Sequence, residues 1–274
     1  MMSHVPEDMT VTVEATATLA GLQAALAKAR QWLPLDPPNP SATIAEILNA
    51  NDSGPRRFGY GTVRDYVIGL KVRLADGRIV KSGGQVVKNV AGYDLQKLFI
   101  GSGGTLATPV EVTFKLRPLP ESESFVQQRC DSLDAASAVI ESVTKSELVP
   151  VVFDLYHKVE EKLAVVLGFD GTREDVDWQL SFAANLGFRD SAGLEYDKSF
   201  HATAKPPRKL SVMPSKLIEA LRSLGDQPFV ARAGNGIIYH CSNIVSATAS
   251  LPVTLLRRVK DAFDPKHILR ELPS

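Results

Sequence analysis

Three glycine clusters with neighbouring hydroxyl groups are the parts of this sequence best suited to binding chemistry. They are Ser53-Gly54, Gly83-Gly84 and Gly101-Ser102-Gly103-Gly104-Thr105. Glycine lets backbone N–H groups approach a ligand and form an anion-binding concavity, and a serine or threonine hydroxyl can donate to a phosphate. The same glycines could simply make tight turns. No cluster has the Gly-Lys-Ser/Thr of a P-loop or the Rossmann glycine fingerprint, so turns and another kind of phosphate site both stay open.

Basic residues are concentrated at positions 56–88, although the formal net charge of the chain is zero. A cationic stretch attracts an anionic cofactor or an acidic substrate. Arg56 and Arg57 lie in a glycine-bearing loop, where we expect a binding role. The basic residues at 71–81 lie in strand-like sequence, where a solvated face is the simpler expectation.

The histidines give no metal site and no assigned catalytic base. No pair among His4, His157, His201, His240 and His267 has metal-ligand spacing, so we expect no metal site. A Gly-x-Ser-x-Gly sequence is also missing, which gives a serine hydrolase no support. His240 follows a glycine turn and either faces a substrate or is a satisfied strand histidine; it is a positional candidate for the base, and so are Arg232 and Tyr239. The catalytic residues therefore stay unassigned.

Length, charge and composition restrict the class of protein. The chain has 274 residues, 31 basic and 31 acidic, and two cysteines. Zero net charge argues against a nucleic-acid binder that neutralises phosphates generally. No apolar run approaches the roughly 18 residues of a membrane span, and Met1–Asp8 does not have the pattern of a secretory signal. Two cysteines are too few for a disulfide scaffold. We expect a cytoplasmic protein.

These candidate residues must be positioned by a strand- and turn-rich first half. The patterning predicts strands at Thr10–Ala15, Tyr66–Leu74 and Val110–Leu116, helices at Thr16–Trp32 and Asp94–Ile100, and an extended proline connector at 34–40. Asp76-Gly77 predicts a tight hairpin turn. Asp94 is the expected N-cap of its helix.

The second half alternates strands and helices, which favours a sheet with helices packed on it. Strands are predicted at Ser124–Gln128, Val151–Tyr156 and Lys162–Phe169, and helices at Ser132–Ser146 and Glu174–Leu186. The tail, Leu251–Leu269, predicts a helix that ends at Asp264-Pro265. We expect domains at 1–120 and 121–274.

Residues 43–120 resemble the flavin-binding domain of the vanillyl-alcohol-oxidase, or PCMH, type, and within it the smaller FAD-binding subunits of bacterial glycolate oxidases. The resemblance is carried by these segments: Ser53-Gly-Pro-Arg-Arg57, Tyr60–Leu70, Ala75-Asp-Gly77, Gly83–Leu95, Leu98–Ser102 and Gly104-Thr-Leu106. The string Lys88-Asn-Val-Ala-Gly-Tyr-Asp94 is close to a signature of that subunit. The ending Val259–Pro265 is similar to the family's C-terminal helix.

The resemblance implies an α+β fold, a PCMH-type flavin domain followed by an α/β-sandwich cap or substrate domain. It also implies hydride transfer from a 2-hydroxy acid to FAD, with the cofactor carrying the reaction, in a complex with a larger flavin subunit and an iron–sulfur subunit. By position it gives these cofactor candidates: Pro38, Thr43, Ser53, Gly54, Tyr60, Gly61, Asp65, Gly104, Thr105 and Val110.

Three departures from the family pattern keep alternatives open. The family's first subdomain, with its pyrophosphate loop, is not found before Thr10. Ala45-Glu46 stands where the family has two glycines, and a carboxylate there would repel an anionic cofactor. Ala107 replaces a further glycine. The alternatives are a non-catalytic, cofactor-impaired subunit of such a complex and a phosphate-binding module unrelated to flavin.

Overall fold

The computed structural model describes residues 2–39, 41–84, 94–158, 163–203, 207–242 and 253–272. Residues 85–93 lie outside the described part of the chain, and they include most of the Lys88–Leu95 motif. The strands are β1 Met2–Val5, β2 Thr10–Glu14, β3 Gln31–Trp32, β4 Val67–Arg73, β5 Ile79–Gly83, β6 Thr108–Lys115, β7 Arg117–Pro118, β8 Ser122–Cys130, β9 Val152–His157, β10 Leu163–Gly171, β11 Asp190–Ser191, β12 Arg208–Ser211, β13 Phe229–Arg232 and β14 Ile237–His240. The helices are α1 Leu19–Ala27, α2 Ile44–Ala50, α3 Arg57–Tyr60, α4 Val63–Tyr66, α5 Gln96–Phe99, α6 Leu133–Thr144, α7 Arg173–Asn185, α8 Glu195–His201, α9 Leu217–Ser223 and α10 Val253–Phe263.

The chain divides into two compact units. The first unit is Met1–Gly54, Gly61–Leu119 and Ala249–Ser274, and the second is Pro55–Tyr60 with Pro120–Thr248. The short segment Pro55–Tyr60, named here the strap, therefore lies in the second unit although its sequence neighbours lie in the first. This matters because the strap contains part of the candidate cofactor loop.

The first unit contains a five-stranded antiparallel sheet in the order β1-β2-β6-β4-β5. Its strands alternate apolar and polar side chains, so one face is buried. Val13 of β2 pairs with Val112 of β6, and both are buried. The opposite face is polar: the hydroxyls of Thr12 and Thr113 lie 2.9 Å apart. Helix α2 packs against β6, so it is held firmly beside the sheet.

The second unit contains a seven-stranded antiparallel sheet in the order β11-β8-β10-β9-β13-β14-β12. Leu155 and Val165 face a core that includes buried residues of α6, α7 and α9. Their neighbours Tyr156 and Val166 face the other way, toward a smaller cluster with residues of α8. The mixed helix and sheet architecture confirms the α+β prediction.

The ends of the first helix differ from the predicted ones, whereas the end of the tail helix agrees with its prediction, and both have identifiable causes. The predicted helix Thr16–Trp32 is only Leu19–Ala27, because the Thr18 side chain caps its start by accepting the Gly21 N–H, and the chain turns at Arg30, where φ is 54°. The tail helix ends at Phe263, directly before the predicted ending at Asp264-Pro265. The Asp264 carboxylate accepts the N–H groups of Ile268 and Leu269, which folds the chain back.

Two short-range predictions have different outcomes. The Asp76-Gly77 hairpin is confirmed: Gly77 has φ 86°, and the Arg78 N–H donates to the Asp76 carboxylate. Asp94 was expected to cap α5, but Leu95 occupies the N-cap position, and the Asp94 carboxylate pairs with the Lys97 ammonium at 2.8 Å.

Candidate cofactor site

The glycine turn at 101–105 docks onto the C-terminal end of α2. The Gly101 N–H donates to the Leu48 carbonyl at 2.8 Å and the Gly103 N–H to the Asn49 carbonyl at 2.9 Å. The last carbonyls of a helix lack the usual N–H partner four residues further on, and the turn supplies donors to these two. Gly101 has φ 82°, and a Cβ there would lie 3.2 Å from the Cβ of Asn51. Glycine is therefore required by both conformation and close approach.

Asn51 ends α2 in the left-handed conformation, with φ 50°. Its N–H donates to the Ile47 and Leu48 carbonyls, and the next N–H, of Asp52, donates to the Ile47 carbonyl. Asparagine tolerates this conformation better than most residues. The chain is thereby turned sharply so that the Asn51 side chain lies beside Gly101.

Three buried polar atoms at this junction have no hydrogen-bond partner among the residues that the structure describes. They are Asn49 Oδ1, Asn51 Oδ1 and Ser102 Oγ. A buried polar group without a partner costs about 1–3 kcal/mol, and such groups are rare enough in native proteins to require a reason. We name this set, with the turn 101–105, the α2–turn junction.

The α2–turn junction also has a positive charge beside it. The Arg64 guanidinium donates to the Ile100 carbonyl at 2.7 Å, and Gly101 lies close to it, since a Cβ on Gly101 would be 3.6 Å from Arg64 Nη2. The junction thus offers amide and hydroxyl groups with a guanidinium nearby. These groups suit a neutral hydrogen-bonding moiety attached to an anion.

Among the predicted cofactor residues, Gly104 and Thr105 belong to this junction. A Cβ on Gly104 would be 3.5 Å from Nδ2, the side-chain amide nitrogen, of Asn49. The Thr105 hydroxyl is buried and donates to the Ser102 carbonyl at 2.8 Å. Sequence reasoning missed Asn49 and Asn51; their signal was a polar run, Asn49-Ala-Asn-Asp52, directly before Ser53-Gly54.

Thr43 and Glu46 form a capping box at the other end of α2. The Thr43 N–H and hydroxyl donate to the Glu46 carboxylate at 2.8 and 2.9 Å, and the Glu46 N–H donates to the Thr43 hydroxyl. These bonds, the backbone one first, lower the pKa of Glu46. The carboxylate is therefore ionised and serves as a helix cap, which gives it a structural reason to stand here; its expected repulsion of an anionic cofactor stays a prediction.

Ser53, Gly54, Gly61 and Asp65 support the start of α4. The buried Ser53 hydroxyl accepts the Val63 N–H at 3.0 Å, and the Asp65 carboxylate accepts the N–H of Thr62, next to Gly61, at 2.7 Å. A Cβ on Gly54 would lie 2.2 Å from the Asp36 carbonyl oxygen. Their side-chain chemistry is used in turns and caps.

Arg56 and Tyr60 lie in the strap, and their side chains bond to residues of the second unit. The Arg56 guanidinium pairs with Glu123 of β8, and the Tyr60 hydroxyl donates to Asp170 of β10 at 2.7 Å. Burial raises the pKa of Asp170, partly offset by Tyr60. The Arg56 guanidinium thus takes part in an ion pair inside the second unit, and its expected binding role stays a prediction.

Pro38 and Val110 occupy backbone positions. Pro38 is half-buried in the extended connector, and the Val110 carbonyl accepts the Ala15 N–H at 2.9 Å, which ties β6 to the end of β2. Thr43 and Glu46 lie at the start of α2, and Gly104 and Thr105 lie in the turn that docks on its end. Tyr60 lies apart from them in the chain's division into units.

The positional candidates for a base are internal groups of the second unit. Arg232 is buried between the carboxylates of Asp154 and Asp197. His240 is buried, its Nδ1 lies 2.7 Å from the Ser242 hydroxyl, and burial lowers its pKa. The Arg232 guanidinium lies over the Tyr239 ring, with its central carbon 5.4 Å from the ring centroid. The satisfied strand histidine is thus the description that fits His240.

The described residues offer neither a metal site nor a membrane span. No three of their histidine, cysteine, aspartate and glutamate side chains are grouped so that they could hold a metal ion. Within the same residues, no helix has both the length and the apolar character needed to cross a bilayer.

Comparison with known proteins bears directly on the first unit. Residues 1–83 match the family model of the FAD binding domain. The match confirms the predicted resemblance to the FAD-binding PCMH-type family and supports FAD as the cofactor. It includes α2 and the loop through Gly61, that is, one of the two segments that make the α2–turn junction.

Curated relatives match about half of the chain. Over 153 residues it is 38% identical to "Glycolate oxidase subunit GlcD" of Bacillus subtilis, covering 54% of this chain and 32% of that protein. Over 143 residues it is 34% identical to "Glycolate oxidase subunit GlcE" of Escherichia coli, covering 52% and 41%. Over 115 residues it is 42% identical to a mitochondrial "D-lactate dehydrogenase [cytochrome]" of Arabidopsis thaliana, covering 42% and 20%. The chain spans less than half the length of each.

A solved structure extends the likeness in fold to almost the whole chain. Alkyldihydroxyacetonephosphate synthase aligns with a TM-score of 0.71 at 15% identity, covering 98% of this chain and 66% of that one. Identity this low supports the fold alone.

Proposed function

We propose that the chain is the FAD-binding subunit of a glycolate-oxidase-like complex that oxidises a 2-hydroxy acid. Glycolate and D-lactate, the substrates in the names of its relatives, are both 2-hydroxy acids. The observation that carries the proposal is the α2–turn junction, with its three unpartnered buried polar atoms. Residues 1–120 would form the flavin domain and 121–274 the cap or substrate domain.

The junction's groups fit the adenosine half of FAD. Asparagine side chains offer both an acceptor and donors, and serine offers a hydroxyl; ribose hydroxyls and the adenine amino group need both kinds of partner. Arg64 adds the positive charge that a pyrophosphate would favour. We therefore assign Asn49, Asn51 and Ser102 as side-chain contacts.

The ten residues expected from the family pattern stay proposals, and most would act through backbone groups. The hydroxyls of Thr43, Ser53 and Thr105 already take part in hydrogen bonds within the first unit. Gly61 and Gly104 have no side chain that would keep a ligand from their backbone, whereas Gly54 is buried against Asp36. When bound, the flavin accepts the hydride; the chain's own contribution is to bind and orient it. The larger flavin subunit, the iron–sulfur subunit and a cytoplasmic location belong to the same proposal.

The test of this function is flavin reduction by substrate. The purified chain, alone and with its co-expressed complex, is loaded with FAD under anaerobic conditions and mixed with glycolate or D-lactate. We expect the flavin absorbance to bleach. Acetate and propionate are the matched controls, because they lack only the 2-hydroxyl, and they should leave the spectrum unchanged. Bound flavin that neither hydroxy acid reduces in the complex would contradict catalysis.

A second candidate, the non-catalytic subunit with impaired cofactor binding, is favoured by one observation. Several predicted cofactor side chains, including Thr43, Ser53 and Asp65, are engaged in caps and turns of the first unit. This candidate predicts that the chain assembles with its partner subunits but takes up no FAD. Assembly with one FAD per copy of this chain would eliminate it.

A further inference from the structure

A buried charge cluster joins α8 to the seven-stranded sheet. Arg232 of β13 donates to Asp154 of β9 at 2.5 Å and to Asp197 of α8 at 2.7 Å. The Tyr196 hydroxyl, also on α8, donates to the same Asp154 oxygen at 2.5 Å. All four side chains are buried. The attachment of α8 to this face therefore depends on charged groups as well as on apolar contact.

The charge of this cluster does not balance when both carboxylates are ionised. One guanidinium then faces two carboxylates in surroundings that include Val166, Val230 and Phe200. Asp154 Oδ1 has no hydrogen-bond donor among the described residues. An ionised oxygen in that position is costly, because neither water nor a donor compensates the lost hydration. A proton on Asp154 makes the cluster neutral.

The apolar contacts that attach α8 to the sheet come from few side chains. The helix has seven residues, and in the smaller cluster its contribution is mainly Tyr196, which stacks on Tyr156 at 4.6 Å, and Phe200. Short helices are marginal without tertiary support. The protonation state of Asp154 is thus placed where it can change the balance between a docked and a released helix.

We propose that α8 is a proton-linked latch on the second unit, docked firmly while Asp154 carries a proton and loosened when Asp154 ionises. The groups that face Asp154 come from each packed element. From α8 they are Tyr196 and Asp197, and His201 Nδ1 lies 2.9 Å from the Asp197 carbonyl and 3.4 Å from its carboxylate. From β13 and β14 they are Arg232 and Tyr239.

The direction of the pH dependence follows from Asp154. Burial raises its pKa from 3.8 to about 6, opposed by Arg232 and the Tyr196 hydroxyl and assisted by the negative charge of Asp197. The docked state therefore binds the proton more tightly than the released state. Docking is strongest below pH 3.8 and is lost progressively as the pH rises through about 6. Linkage then makes release about tenfold easier per pH unit across that window, with a plateau above it.

Tyr196 and Arg232 keep one charge state there. Burial raises the pKa of Tyr196, so its hydroxyl remains a donor. Burial opposes the charge on Arg232, but Asp154 and Asp197 raise its pKa, so it remains a cation. Of Asp154 and the two groups that donate to it, the carboxyl of Asp154 is therefore the one that changes its charge.

The test is hydrogen exchange of the α8 amides in the full chain between about pH 4 and pH 7, corrected for intrinsic exchange rates. The opening constant should rise about tenfold per unit up to about pH 6 and then level off. Asp154→Asn should remove this slope. Asp190→Asn, an exposed aspartate of the same unit, is the control and should keep it. A flat wild-type profile, or an unchanged slope in Asp154→Asn, would overturn the latch.

A second measurement does not need the variant to fold. Carbon-13 NMR of the Asp154 carboxyl in the wild-type chain should titrate with a midpoint near 6, and the α8 backbone resonances should shift with the same midpoint. A midpoint at the ordinary aspartate value of about 4, or α8 resonances that do not follow it, would also overturn the proposal.

Discussion

The α2–turn junction and the α8 cluster use buried polar groups in opposite ways. In the first unit, side-chain oxygen atoms of two asparagines and a serine are buried beside a glycine turn without partners among the described residues. In the second, the buried side chains of Arg232, Asp154, Asp197 and Tyr196 bond to one another, although Asp154 Oδ1 and Arg232 Nε have no partner among the described residues. The second cluster is therefore held together mainly by its own ionic contacts, whereas the first consists of neutral polar atoms that a ligand would supply with partners. Substitutions should therefore affect stability in the second region and ligand binding in the first.

The largest expected effect is on the α8 cluster. Arg232→Leu removes the cation and leaves two buried carboxylates facing each other, so we expect the free energy of unfolding to fall by about 3–5 kcal/mol, measured by urea titration at pH 7. Arg129→Leu is the control, because Arg129 is exposed and its ion pair with Asp190 spans 3.4 Å; it should change stability by less than about 1 kcal/mol. Equal losses in the two variants would remove the distinction between the clusters.

The capping box of α2 comes next. Glu46→Gly loses the carboxylate that binds Thr43 and adds a flexible residue to the first turn, so unfolding should become easier by about 1–2 kcal/mol. Glu46→Gln keeps a side chain that can complete the box and should stay within about 0.5 kcal/mol of the wild type. Thermal denaturation of both variants distinguishes the loss of the helix cap from the loss of the negative charge. A Glu46→Gly chain as stable as the wild type would show that the box does not support α2.

The smallest effect on stability is expected at the α2–turn junction. Ser102→Ala removes a hydroxyl that has no partner in the described chain, so the free energy of unfolding without FAD should change by less than about 0.5 kcal/mol, or rise slightly. Thr105→Ala, three residues further along the turn, deletes a hydroxyl that donates to the Ser102 carbonyl and should lower the free energy of unfolding by about 1 kcal/mol. A larger loss in Ser102→Ala than in Thr105→Ala would mean that Ser102 is structural.

Local features of the fold were predictable from the sequence, and long-range ones were not. The Asp76-Gly77 hairpin and the Ser132 N-cap of α6 depend on residues within a few positions. The partners of Arg56 and Tyr60 lie 67 and 110 residues away, so a loop that appeared available for binding is committed to the second unit. The sequence contains no local sign of such pairing.

The candidate site shows the same limit. The glycines of the turn were identified because their type alone indicates close backbone approach. Asn49 and Asn51 acquire meaning only when the turn at 101–105 docks on the end of α2 some fifty residues earlier in the chain. Glu46 was correctly noticed as unusual, but its carboxylate is bound by Thr43, a local bond that its spacing of three residues fits.

The most direct test of the central claim is FAD titration of the purified full chain, wild type against the double variant Asn51→Gly, Ser102→Ala, followed by quenching of flavin fluorescence. Glycine keeps the left-handed conformation of position 51, and Asn185→Gly, at an exposed helix end, is the matched control. The account predicts saturable binding of one FAD, weakened about tenfold or more in the double variant through two lost hydrogen bonds and unchanged in the control. Saturable binding with equal affinity in all three chains would contradict the assignment of the α2–turn junction as the cofactor site.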